Sequence, residues 1–64
     1  MGVAAKQALQ EAVAAHNAGS LHEAARLYRV VLQTNPTHPD ANHNLGLIAI
    51  ALNNIESALL FLDR

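Results

Sequence analysis

The chain has 64 residues, 52% hydrophobic and 14% charged, with a formal net charge of -1, no Cys and no Trp. This excludes a disulfide framework, a thiolate metal site and the basic footprint of a nucleic-acid binder, and it is too apolar for disorder. Thirteen Ala and ten Leu outweigh seven Val and Ile, so a single all-helical domain over residues 1–64 is expected.

The first helix is predicted to run up to Asn17-Ala18-Gly19, where Gly19 suits the left-handed position that ends a helix. On it Leu9, Val13 and His16 form one stripe, and Ala5, Ala8, Ala12 and Ala15 form a small-residue stripe beside it. Ser20 followed by Glu23 has the spacing of a capping box and opens the second helix. There Leu21, Ala24, Leu27, Tyr28, Val31 and Leu32 recur at three and four, with Arg26, Arg29 and Gln33 on the other side.

Asn35-Pro36-Thr37-His38-Pro39-Asp40 stops that helix. Pro39 fits the first turn of the next, and Asp40 suits the positive end of its dipole. The third helix is predicted over 39–52, apolar nearly all round from Leu45. Asn53-Asn54 supplies the last predicted break, and a short fourth helix follows with Ile55, Leu59, Leu60, Phe61 and Leu62. Four helices joined by short turns pack antiparallel in sequence order. The longest apolar run, Leu45 to Leu52, is under half a membrane span, and polar residues interrupt any leader-like core near the N-terminus. A soluble cytoplasmic protein without membrane contact is the expectation.

A shift of 34 residues overlays the punctuation. Gly19 falls on Asn53, Ser20 on Asn54, Leu21 on Ile55, Ala12 on Gly46, Ala24 on Ala58 and Tyr28 on Leu62. Small residues meet small residues, and large apolar residues meet large apolar ones. With Leu45-Gly46, Ala49, Ala58 and Leu62 in one unit and Ala12, Ala15, Ala24, Tyr28 and Pro36 in the other, the chain resembles the tetratricopeptide repeat family. Glu11 departs from the family's Leu, and neither unit has the early aromatic.

The resemblance implies a right-handed superhelical stack of antiparallel helical hairpins, with one unit at 5–38 and a shortened one at 39–64. Ala12 against Ala24, and Gly46 against Ala58, would let paired helices approach closely. Gly46→Leu is then expected to force the second hairpin apart.

The four His residues invite a metal reading, but His38 and His43 straddle a helix start and no carboxylate cluster completes a set. His16 reads as packed at a helix end, the other three as solvated turn or groove residues. Ser20 reads as a cap, and neither it nor Ser57 has an adjacent base with an orienting partner. No metal, cofactor or catalytic residue is expected.

The resemblance further implies a non-catalytic protein–protein interaction module. Its groove would be lined by first helices, holding an extended peptide or a partner's helix. The matching positions are Lys6, Leu9, Gln10, Val13, His16 and Asn17 in the first unit, and Asp40, His43, Asn44, Leu47 and Ile50 in the second. Asn44 corresponds to an Asn that bonds a ligand's backbone, and Gln10 to the equivalent place one unit earlier. One alternative is self-association into a homo-oligomer through Leu52, Ile55, Leu59, Leu60, Phe61 and Leu62. Another makes the chain an N-terminal scaffold fragment of a larger enzyme.

Overall fold

The computed structural model describes the backbone of residues 2–62 and the side chains of residues 5–56. Three helices occupy that range: α1 (Gly2–Asn17), α2 (Leu21–Thr34) and α3 (Pro39–Leu62). No strand occurs among the described residues. α2 packs against both other helices, whereas α1 and α3 meet almost only through it.

The α1–α2 turn follows from Gly19. Its φ of 82° is the conformation that an L side chain resists. The Gly19 N–H donates to the His16 carbonyl at 3.1 Å, and the Ser20 N–H to the Ala15 carbonyl at 2.9 Å. These are the paired bonds of a Schellman motif, and they satisfy carbonyls that the helix end leaves open. The capping box expected next does not form. Ser20 precedes α2 with ψ 71°, outside the usual cap geometry, and its side chain makes no cap hydrogen bond. Glu23 turns instead to Arg26, accepting two guanidinium N–H bonds of 2.8 Å. A bidentate charge-assisted pair outcompetes a single bond to a backbone amide.

The second turn departs from expectation in a different way. His38 is not a solvated turn residue: its Nδ1 accepts the Ala41 N–H at 3.1 Å and so caps α3. Asn42 secures the same corner, its Nδ2 donating to the carbonyls of Pro36 and His38. Pro39 occupies the first helical position, where its missing N–H leaves nothing unpaired.

The predicted break at Asn53-Asn54 is absent. α3 runs through both residues as one 24-residue helix, so the third and fourth helices of the sequence reading are a single element. The reason lies in the residues. Asn disfavours a helix interior by at most ~0.7 kcal/mol relative to Ala. A turn would open a new set of four N–H and four C=O groups. The two real breaks carry a left-handed Gly19 or the pair Pro36 and Pro39. Asn53-Asn54 has neither.

The core is built from small residues on α1 and larger ones on α2 and α3. Ala8 and Ala12 of α1 meet Ala24, Ala25, Leu27, Tyr28 and Val31 of α2, and Ala41 and Ile48 of α3 complete the cluster. Ala12 and Ala24 are both fully buried, as the close approach of two helices requires. Leu45 and Leu52 pack on the same cluster from α3. The described molecule measures 48 × 21 × 13 Å, with a radius of gyration of 13.2 Å. A globular chain of this length would have about 11 Å. The length of α3, about 36 Å at 1.5 Å per residue, accounts for the elongation.

Candidate functional site

α2 forms a floor, and α1 and α3 flank it. Along α2, Ala24, Tyr28 and Val31 recur at four and three, so they share one stripe, with the C-cap Asn35 just beyond it. One point on this stripe reaches both flanking helices, and a second reaches α1 and the turn before α3.

The first point is Tyr28. Its ring is fully buried, with the His16 ring edge-on at a centroid distance of 6.2 Å. Its hydroxyl accepts a hydrogen bond from Asn44 Nδ2 at 3.1 Å. Tyr28 therefore bridges the end of α1 to the second turn of α3. No buried side-chain polar atom is left without a partner among the described residues.

The second point is a cleft of about 200 Å³ lined by Ala5, Lys6 and Leu9 of α1, Val31 and Asn35 at the end of α2, and His38. Its lining is chiefly aliphatic. Lys6, Asn35 and His38 are the polar members, and the same His38 ring caps α3.

The residues expected to face a groove fall into three groups. Lys6 and Leu9 line the cleft. Gln10, Val13 and Asn17 continue along the exposed side of α1, with His16 half-buried beside Tyr28. On α3, Asp40, His43, Leu47 and Ile50 recur at three, four and three, and all four are exposed. Leu47 is 47% and Ile50 62% accessible, high for large aliphatic side chains with water as their only cover. Asn44 lies between this stripe and the core, half-buried, with its amide N–H committed to Tyr28.

Of the residues expected in self-association, Leu52 is half-buried against the core and Ile55 is 49% exposed. Leu59, Leu60, Phe61 and Leu62 lie outside the residues whose side chains are described.

Sequence reasoning missed Asn35 and His38 as parts of the cleft, and His38 as a cap. A signal for the cap was present. A Pro at the first helical position makes the preceding residue the N-cap by register, whatever its chemistry.

Glu23 and Arg26 form an exposed ion pair on α2. The hydrogen bond from Arg26 holds the Glu23 carboxyl below its ordinary value, against a smaller opposing effect of desolvation. The same bond raises Arg26. Among the described residues no three His, Asp or Glu side chains converge on a point that could hold a metal ion. No helix among them is long and apolar enough to cross a membrane.

A family model described as Tetratricopeptide repeat matches residues 15–64, more than three quarters of the chain. No curated protein and no solved structure matches. The matched region takes in the last turn of α1, all of α2 and all of α3, the elements that carry the Ala24, Tyr28, Gly46 and Ala58 positions of the internal repeat. The chain belongs to the tetratricopeptide repeat family.

Proposed function

We propose that this chain is a protein–protein interaction module that takes an extended peptide between α1 and α3, over the floor of α2. In this reading the units are 5–38, a helical hairpin, and 39–64, which runs on as the single helix α3, with α1 and the first half of α3 on the working side. One observation carries the proposal. It is the aliphatic cleft lined by Lys6, Leu9, Val31 and His38, in a molecule that also leaves Leu47 and Ile50 of α3 exposed and joins α2 to α3 through the Asn44–Tyr28 bond.

The physical logic is that of a preformed surface. The cleft is smaller than a typical ligand pocket of about 300–1,000 Å³, so it suits one side chain of a longer partner. Exposed aliphatic groups on α3 add apolar area, and Gln10, Asn17 and His43 add polar groups at the edge. Asn44 keeps a carbonyl oxygen for a partner's backbone N–H while its amide holds Tyr28. Because Tyr28 already fixes the Asn44 side chain, little rotamer entropy remains to be lost on binding.

The test is selection from a peptide library, followed by amide chemical-shift mapping with a selected peptide. Shifts concentrated at Lys6, Leu9, Val13, His43, Leu47 and Ile50 are expected. Leu47→Asp with Ile50→Asp should abolish them while leaving helicity unchanged. Shifts centred on Arg26, Arg29 and Gln33 would place binding on the opposite side and overturn the reading.

A further inference from the structure

The cleft between the first half of α1 and the α2–α3 turn has its acceptors engaged and its donors open. Its polar members are Lys6, Asn35 and His38. Every acceptor that Asn35 and His38 carry already receives a hydrogen bond within the chain. The Asn35 side-chain oxygen accepts from the Thr37 hydroxyl at 3.3 Å, and its main-chain carbonyl accepts from the His38 N–H at 3.1 Å. The His38 carbonyl accepts from the Asn42 N–H at 3.0 Å and from the Asn42 side chain at 3.1 Å. His38 Nδ1 accepts from the Ala41 N–H at 3.1 Å. That last bond fixes the tautomer. A ring nitrogen that accepts carries no proton, so the proton of the neutral imidazole is on Nε2.

What the three side chains have left to offer is Nζ of Lys6, Nδ2 of Asn35 and Nε2 of His38, and all three donate. Among the described residues Lys6 enters no ion pair. The rest of the lining is Ala5, Leu9 and Val31, and no carboxylate is part of it. An aliphatic wall beside a rim that only donates selects an occupant with a methylene stem and an acceptor head. A purely aliphatic side chain would cover the donors without replacing the water they lose. A Lys side chain would bring more donors and meet the charge of Lys6. Aspartate has the head but one methylene fewer to lay on Leu9 and Val31.

We propose that the cleft takes a glutamate side chain of the bound peptide, its methylenes on Leu9 and Val31 and its carboxylate on Lys6, Asn35 and His38. This rests on the peptide-binding reading and names the residue that the peptide must carry. A carboxylate has acceptor sites for all three donors, and its bond from Lys6 is charge-assisted. His38 then serves two ends at once, with Nδ1 holding the start of α3 and Nε2 the peptide. Because the cap already fixes the ring, little of its freedom remains to be lost on binding.

Fluorescence polarisation with short dye-labelled peptides tests the assignment. The peptides are amidated at the C-terminus, carry Glu, Gln, Asp, Leu or Lys at a fixed central position, and are mixed elsewhere. The Glu set is expected to bind tightest, about tenfold over Gln because a charged acceptor strengthens each bond. Its advantage over Asp should be about fourfold, the worth of one methylene. Lys6 is exposed, so Lys6→Met keeps the fold and the aliphatic stem. It should weaken the Glu set about tenfold and leave the Gln set nearly unchanged. His38→Asn keeps a cap acceptor but withdraws the ring, and should weaken the Glu set while helicity is retained. A Leu set that binds as tightly as Glu, or Glu binding indifferent to Lys6→Met, would overturn the glutamate assignment and leave peptide binding standing. Binding that appears only when the peptides carry a free C-terminal carboxylate would overturn it too. If no set binds, the peptide-binding reading falls, and this inference with it.

Discussion

Asn44→Ala is expected to destabilise the chain through Tyr28. The Tyr28 hydroxyl sits on a fully buried side chain, and the 3.1 Å bond from Asn44 is the partner that satisfies it. Deleting the amide leaves a buried hydroxyl unpaired, at about 1–3 kcal/mol. Deleting the hydroxyl instead, with Tyr28→Phe, leaves the amide of a half-buried Asn44 beside water and costs about 0.5–1.5 kcal/mol. The double variant removes both partners, so it should cost less than the sum of the singles. The coupling between them should be roughly 1 kcal/mol. At this size each kcal/mol moves the melting midpoint by about 4–8 °C, well within reach of thermal unfolding followed by circular dichroism at 222 nm. The four proteins of the cycle also serve the binding hypothesis. A selected peptide should bind Tyr28→Phe with its Asn44 contact intact, whereas Asn44→Ala should lose both. Additive losses within 0.3 kcal/mol, or an Asn44→Ala variant as stable as the parent, would refute the bridge from α1 to α3 through Tyr28.

Ile48→Ala empties a fully buried site and should cost about 2–5 kcal/mol. A chain of this length holds only about 3–10 kcal/mol in total, so urea titration should find the variant's midpoint lowered by a large fraction of the parent's. His38→Ala removes the α3 cap and should lower stability by about 0.5–2 kcal/mol, with His38→Asn restoring most of it, as measured by denaturant midpoints. Glu23→Gln tests the sign of the exposed ion pair. The native carboxyl titrates below its ordinary value because it accepts from Arg26. Its stabilising effect is present above the ordinary carboxylate range and is lost as pH falls through the lowered native value. The melting difference between the two proteins should be small at pH 7 and vanish once the pH has fallen below the lowered native value; a gap that persists in strong acid would show that the charge is not its origin.

What the residues disclosed in advance depended on how local each determinant is. Gly19 and Pro39 act on their own backbone, and both marked their turns correctly. The Ala8 and Ala12 stripe was legible because small residues at helical spacing have one use in a hairpin, close approach, and the structure buries them against Ala24. The capping box failed because Glu23 had a second suitor three residues on, and a motif defined by two residues cannot weigh a third. Asn44 was legible as a special position, but its partner, sixteen residues away on α2, becomes visible only when three helices are assembled.

Asn53-Asn54 is the instructive failure. The same dipeptide is a weak turn when a helix waits to be packed and a tolerable interior when none does, because its intrinsic cost of about 1 kcal/mol is smaller than the burial at stake on either side. Because α3 continues through it as one helix, no other helix among the described residues is brought against Gly46, where an added Cβ would meet nothing within 4 Å. The expectation that Gly46→Leu forces a hairpin apart is therefore corrected: the repeat places a close approach there, and this chain makes none.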